Sequence, residues 1–457
     1  MPGAADEGYP MTFRKLTTIA VAAGLAASLT LMAPAAAVAP VNGVWRTDGY
    51  SSLLVVDRDR ATTYETTGIS CVADEAETRV GKPGADGTLT FNSFTVRPER
   101  GGLVQHTAGS AGDRHLTRVP ALPESCTRPG ASDPLSTFDI FWQTYAENYP
   151  FFAAKGIDWA AVRDRYRPRV RADNLFETLV AMIEPLGDAH TGIRTGGETD
   201  PQFVGHRPGT TFPTIELEGT LRPYLERVHG PLRYFGSDRI GYRDLPGGLG
   251  YLRVIAFAGY TGTDDLDVAG DSAELDRALD AVLKPSLRGL IVDLRINGGG
   301  HDALALQLAS RLTDHPYLAY RKRARNDAHD PAAFTRPQSI DVPVGPDPAY
   351  LGPVVLLTGG SQMSAGETFT MATFGRSPRP IRIGENTQGV FSDTLIRTLP
   401  NGWQFILPDE QFLTRDGRAF DGAGIPPDIR IPVFTAGQIA SGRDPAFDLA
   451  VTQLRNR

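Results

Sequence analysis

The sequence predicts an α/β core preceded by a helical subdomain and a small amino-terminal all-β domain, and three observations carry that expectation. Residues 41 to about 125 alternate apolar and polar positions between closely spaced Gly, Pro and Asp, as in Ser51 to Asp57 and Gly87 to Phe91, the period of half-buried strands. From Leu135 the period becomes helical: Phe138, Phe141, Tyr145, Tyr149, then Trp159, Val162, Tyr166, then Leu175, Leu179, Met182. From Gly248 strands and helices alternate, which implies a largely parallel sheet covered by helices.

Each segment can be bounded on the chain of 457 residues. Arg14-Lys15 precede the apolar run Leu16 to Met32 and then Ala35-Ala36-Ala37-Val38-Ala39. That order reads as a signal peptide over 1–37 with an A-x-A cleavage site after Ala37 or Ala39. Residues 1–10 are polar and stand before a second methionine, Met11, an alternative start. The expectation is a secreted or extracytoplasmic protein without a transmembrane segment in the mature chain, since no later stretch is apolar for long enough to span a bilayer. Cys71 and Cys126 are the two cysteines. Export to an oxidising compartment predicts one disulfide between them, closing the 41–126 all-β domain. Two cysteines without a His at ligand spacing make no zinc site. The helical subdomain covers 135–195, and the Gly/Pro-rich stretch 196–247 reads as an irregular insertion or a short hairpin. The α/β core spans 248–435, with a carboxyl-terminal helix over 436–457.

A formal charge of −7 excludes a polyanion-binding protein of the usual basic kind. The one basic run, Arg321-Lys322-Arg323-Ala324-Arg325, reads as a solvated face or a substrate rim.

Within the core, Val354 to Thr358 run as an apolar strand into Gly359-Gly360-Ser361-Gln362-Met363 and then Ser364-Ala365-Gly366-Glu367-Thr368. Ser364 would open a helix, above the sheet, where the free N–H groups of the first turn, Ala365 foremost, point at an oxyanion. The simpler use of such a serine is as a helix cap. Gly298-Gly299-Gly300 follow the buried strand Gly289 to Arg295, at the carboxyl end where open α/β sheets place ligands. The turn has neither G-x-G-x-x-G spacing nor the Gly-Lys-Ser/Thr of a phosphate loop. His190, in Leu186-Gly187-Asp188-Ala189-His190-Thr191-Gly192, lies on the turn after the helical layer.

Asp293-Leu294-Arg295-Ile296-Asn297-Gly298-Gly299-Gly300, Ser364-Ala365-Gly366-Glu367, Gly384-Glu385-Asn386-Thr387-Gln388-Gly389 and Asp421-Gly422-Ala423-Gly424-Ile425-Pro426-Pro427-Asp428 together resemble the ordered motifs of the carboxyl-terminal processing (tail-specific) serine peptidases and the tricorn-protease core. The resemblance covers 248–433, reaches back to Leu186–Thr191, and excludes 41–125. It implies a crotonase-like fold, hydrolysis of peptide bonds through an acyl-enzyme, and no metal or organic cofactor. The processing branch takes its base from a lysine after the Thr-x-Gly turn. Here that position is Val390, and the lysines are Lys15, Lys82, Lys155, Lys284 and Lys322, none after Ser364. In the tricorn-like branch the base is a histidine, which the resemblance assigns to His190. It assigns the acid to Asp421 and the second oxyanion donor to Gly299, with Gly300 the alternative. Ala189 replaces the serine that bridges acid and histidine in tricorn, so Asp188, Thr191 or a water stand as substitutes for direct Asp421 contact. The expected partners are peptides or unfolded proteins, not nucleic acid. The competing expectation, on the same scaffold, is a catalytically silent carrier of apolar ligands or peptides, as in the interphotoreceptor retinoid-binding proteins. A third, hydrolysis of a non-peptide ester, would use the same residues.

Overall fold

The computed structural model describes residues 41–128, 130–197, 200–263, 267–391 and 393–456. The signal-peptide reading of 1–37 lies outside the described residues. Strands between Gly43 and Val119 form one antiparallel nine-stranded sheet. Its alternation is the reason it folds this way: Trp45, Leu54, Val56, Phe91, Val96, Leu103 and Leu116 bury one face in a single cluster while intervening polar positions stay wet. The Cys71–Cys126 disulfide, with Cα atoms 4.8 Å apart, pins the short helical turn Glu124–Thr127 to this sheet.

The helical layer comprises Pro134–Asn148, the single turn Phe152–Lys155, Trp159–Tyr166 and Leu175–Ile183. Asp133 caps the first helix through the Leu135 and Ser136 N–H groups, both 3.1 Å away, and Pro134 sits where its missing N–H costs nothing. The aromatic positions read from the period form one core: Phe138, Phe141, Tyr145, Tyr149 and Trp159 pack with Leu179, Met182 and Phe405. Phe405 belongs to Gln404–Pro408, which pairs with Gly192–Arg194 in a four-stranded sheet. The strand that follows His190 is thereby fastened to the carboxyl-terminal part of the chain.

Seven strands build the core sheet, with Leu249–Val254, Gly289–Asp293, Val354–Thr358, Ile381–Gly384 and Ile429–Arg430 parallel and Arg233–Phe235 and Ile240–Leu245 antiparallel at one edge. The sheet therefore begins at Arg233, not at Gly248, and the 196–247 segment is not irregular: it contains the expected short hairpin, Arg233–Phe235 with Ile240–Leu245, as part of the core sheet. It holds the 15-residue helix Ile215–His229, capped by Thr214. Gly219 and Pro223 mask its periodicity, yet Leu217, Leu221, Tyr224 and Leu225 still form a stripe that packs on Ile296. At the other end, the single expected helix is two, Ala436–Ser441 and Pro445–Arg455, because Gly442 adopts φ 62° and Asp444 caps the second.

The basic run is corrected as well. It lies in the strand Tyr317–Ala324 and just beyond it, where Lys322 and Arg325 are buried, Lys322 between Asp393 (3.2 Å) and Glu410 (3.1 Å). Burial of a cation is tolerable only with such partners. Among the described residues no helix is long and apolar enough to cross a membrane.

Candidate active site

The parallel strand Val354–Thr358 ends in a turn that delivers Ser364 to the start of the helix Ala365–Ala372. Ser364 has φ 53° and ψ −126°, and its side chain makes no capping bond. A capping serine adopts the extended region and accepts from the helix N–H groups; this one does neither. A non-glycine residue in such backbone costs about 1–3 kcal/mol and persists only where the surroundings impose it. Here the Ser364 N–H donates to the Val390 carbonyl at 2.9 Å, and its carbonyl accepts from Glu367 and Thr368 at 2.8 and 3.0 Å. The hydroxyl is half-buried and the Ala365 N–H has no hydrogen-bond acceptor among the described residues.

Gly299 lies against the serine. A Cβ on it would stand 2.5 Å from the Ser364 Cβ, and its φ of +87° favours glycine regardless. Its N–H, however, donates to Asn297 Oδ1 at 2.9 Å, so the donor expected from Gly299 is engaged. The Gly300 N–H has no acceptor among the described residues. The expectation overlooked Asn297, although it sits in the motif run. Its amide donates to the Val254 carbonyl at 2.9 Å, its backbone carbonyl accepts from Met363 at 3.0 Å, and its side-chain carbonyl accepts from Gly299. Fully buried, it ties the glycine turn to the nucleophile turn.

His190 is carried to the same place from the helical layer. Ala189, Met363 and Val390, the residues beside His190, Ser364 and the Gly389 turn, form one buried apolar cluster. The His190 ring is buried and its Nδ1 has no partner among the described residues. Burial lowers its pKa below the ordinary 6.5, and the nearby carboxylates of Asp188 and Asp393 oppose the shift. Asp188 is the acid that touches this segment: Oδ1 accepts the His190 backbone N–H at 2.9 Å and Oδ2 accepts the Tyr149 hydroxyl at 2.8 Å.

Asp421 makes no hydrogen bond to His190. Both its carboxyl oxygens are buried without a partner, and burial with the neighbouring Asp188 and Glu367 carboxylates raises its pKa well above the carboxylate range. The backbone amides of Asp421 itself and of Phe391 temper that shift without reaching hydrogen-bonding geometry. Glu367 is likewise buried, and its pKa is pushed up to about 8 by burial against hydrogen bonds from Thr387 and the Val390 and Gly389 amides. Its two oxygens accept the Gly389 and Val390 N–H groups at 2.7 and 2.8 Å, holding the loop that in turn holds Ser364. Asp428 is structural, paired with Arg379 and Arg382. Among the described residues no group of three or more His, Cys, Asp or Glu is arranged to hold a metal.

The chain matches the model of peptidase family S41 over residues 248–431 and that of the tricorn protease C1 domain over 132–185. No curated protein matches it. Among solved structures, a candidate peptidase from Parabacteroides merdae ATCC 43184 is 24% identical, with a TM-score of 0.57 over 71% of this chain and 97% of that one. Mature CPAF is 13% identical, with a TM-score of 0.52 over 71% and 98%. At these identities the likeness is one of fold. The family matches fall on the strands and turns that carry Ser364, Gly299 and Asp421 and on the helices leading to His190. Through them the chain belongs with the S41 peptidases, the group of the carboxyl-terminal processing and tricorn-core enzymes, and is a serine-type peptidase.

Proposed function

We propose that the protein is an exported serine endopeptidase that cleaves peptide bonds through an acyl-enzyme on Ser364, with His190 as general base. The observation that carries the reading is the Ser364 backbone: strained, at a helix start, and free of the capping bond that would explain it structurally. A serine hydroxyl is a weak nucleophile until a neighbouring base takes its proton. A buried imidazole with a depressed pKa is neutral, and so competent, at ordinary pH. With Nδ1 sealed from solvent, proton exchange with the hydroxyl and then with the leaving amine falls to Nε2. As the carbonyl carbon becomes tetrahedral, the Ala365 and Gly300 N–H groups are the donors free to take up charge on its oxygen, each worth roughly 2.7–4 kcal/mol when well aimed. Asp188, fixed by Tyr149 and by the His190 N–H, is the carboxylate best supported as stabiliser of the imidazolium, in place of Asp421. The crotonase-like description of the core, unfolded or terminal segments as substrate, and export through residues 1–37 belong to the same proposal.

The purified protein is expected to cleave a denatured protein and to label at Ser364 with a fluorophosphonate. Ser364→Ala is expected to lower cleavage by about a thousandfold or more with an unchanged circular-dichroism spectrum. Cleavage that persists in this variant, or a wild-type chain that never labels, would reject the assignment in favour of the silent carrier. Amino-terminal sequencing of protein collected outside the producing cell tests export, with a start at Val38 or Pro40 expected.

A further inference from the structure

A cleft of about 450 Å³ opens between Gly298–Gly300 and the start of the helix Ile215–His229. One wall, including Ile255, Ala258 and Ile296, lies in the part of the chain that matches peptidase family S41. The other wall, with Thr214, Ile215, Arg222 and Arg239, lies in 186–247, between the two family matches. The cleft adjoins the reacting serine, since Gly299 touches Ser364, yet half of it is built from this chain's own segment.

Its charges do not cancel. Arg222 is bound to Glu218 and Asp238, both at 3.0 Å, and Arg253 behind it is bound to Glu218 as well. Arg239, half-buried on the wall, donates Nε to the Gly259 carbonyl at 3.2 Å and forms no ion pair with any described residue. Of the charged side chains that line the cleft, two are guanidinium groups and one is a carboxylate, and the guanidinium without an ion pair is Arg239. At the mouth, Ile215 is 87% exposed at a helix start, where a large aliphatic side chain gains nothing from folding.

We infer that this cleft is a substrate subsite that selects a carboxylate, from an Asp or Glu side chain or from a chain end, on Arg239, with the adjoining aliphatic part of the substrate against Ile215. The inference rests on the peptidase reading for its substrate and leaves the chemistry at Ser364 unchanged. A guanidinium and a carboxylate form a charge-assisted pair in a fixed fork geometry, which an amide isostere cannot replace.

The test is binding to the Ser364→Ala protein, which needs no turnover, by fluorescence anisotropy of labelled peptides differing in one group: Glu with an amidated end, Gln with an amidated end, and Gln with a free carboxyl end. At least one carboxylate peptide is expected to bind about five- to tenfold tighter than the fully neutral one, and which of the two does so identifies the source. Arg239→Gln is expected to abolish the preference and Arg239→Lys to keep part of it. Ile215→Glu, at an exposed position with no fold to disturb, is expected to remove it by repulsion. Equal affinity for all three peptides, or a preference that survives both Arg239→Gln and Ile215→Glu, overturns the subsite. Cleavage of a denatured protein by the wild-type chain reports separately on the peptidase reading.

Discussion

Ser364 and His190 reach one another's neighbourhood by different routes, and each leaves a measurable trace. Because burial lowers the His190 pKa, the base form persists to lower pH than in a free imidazole. The kcat/KM profile is expected to rise through an inflection below pH 6.5 and to stay level above it. Asp188→Asn removes the largest influence that opposes this shift, so the inflection should move further down while the maximal rate falls. An unmoved inflection would return the acid role to another group. Glu367 gives a stability signature of the opposite kind. Its pKa in the folded chain is raised to about 8 from 4.5, so between those values the folded state binds more protons than the unfolded one. Its contribution is complete below pH 4.5 and is lost as pH rises toward 8. A plot of Tm against pH should decline across that window, and Glu367→Gln should flatten the decline.

At the scale of elements, the long periodic runs were legible in the sequence and the interrupted ones were not. The aromatic stripe from Phe138 to Trp159 and the apolar strands at Gly289 and Val354 stand where the pattern puts them, because burial enforces their period. The helix Ile215–His229 was hidden by Gly219 and Pro223, which weigh against a helix locally while the contacts of Leu221 and Tyr224 with Ile296 decide for it. The candidate site divides in the same way. Ser364, Ala365, Gly299, His190 and the Asn297 that engages the Gly299 N–H belong to local motifs, whereas the partners of Lys322 and the isolation of Asp421 depend on residues distant in sequence. Gly299→Ala should inactivate the protein through collision with Ser364 and an unfavourable φ, measured as lost fluorophosphonate labelling. Arg295, buried between Asp293 at 2.7 Å and Asp444 at 2.8 Å, joins the strand before the glycine turn to the last helix. Arg295→Met should lower the unfolding free energy by about 3–5 kcal/mol, since two carboxylates lose their cation, and a change within error in denaturant unfolding would contradict that role.

Over the whole molecule, the all-β domain is not an appendage. The loop between its strands Gly102–Thr107 and Arg114–Val119 reaches the core: the Gly109 carbonyl accepts the Ala303 N–H at 3.0 Å, Ser110 donates to Asp393 at 3.1 Å, and Ala111 joins the main hydrophobic cluster. Tyr50 adds a bond to buried Glu410, and Arg397 donates to the Tyr50 carbonyl at 2.7 Å. Ala303 stands just beyond the Gly300 turn, and Asp393 is one of the carboxylates acting on His190. The disulfide closes a loop of 55 residues, so replacing both cysteines with serine should cost about 4 kcal/mol in the loop-entropy model, read as a drop in the denaturation midpoint. The part of the chain that resembles known families begins at residue 132, but a fragment cut there would leave Lys322, Asp393 and Glu410 without Ser110 and Tyr50 and would open the main core where Ala111 sat. Ancestry and sufficiency thus draw different borders on this protein: what it inherited in recognisable form is shorter than what it needs to stand.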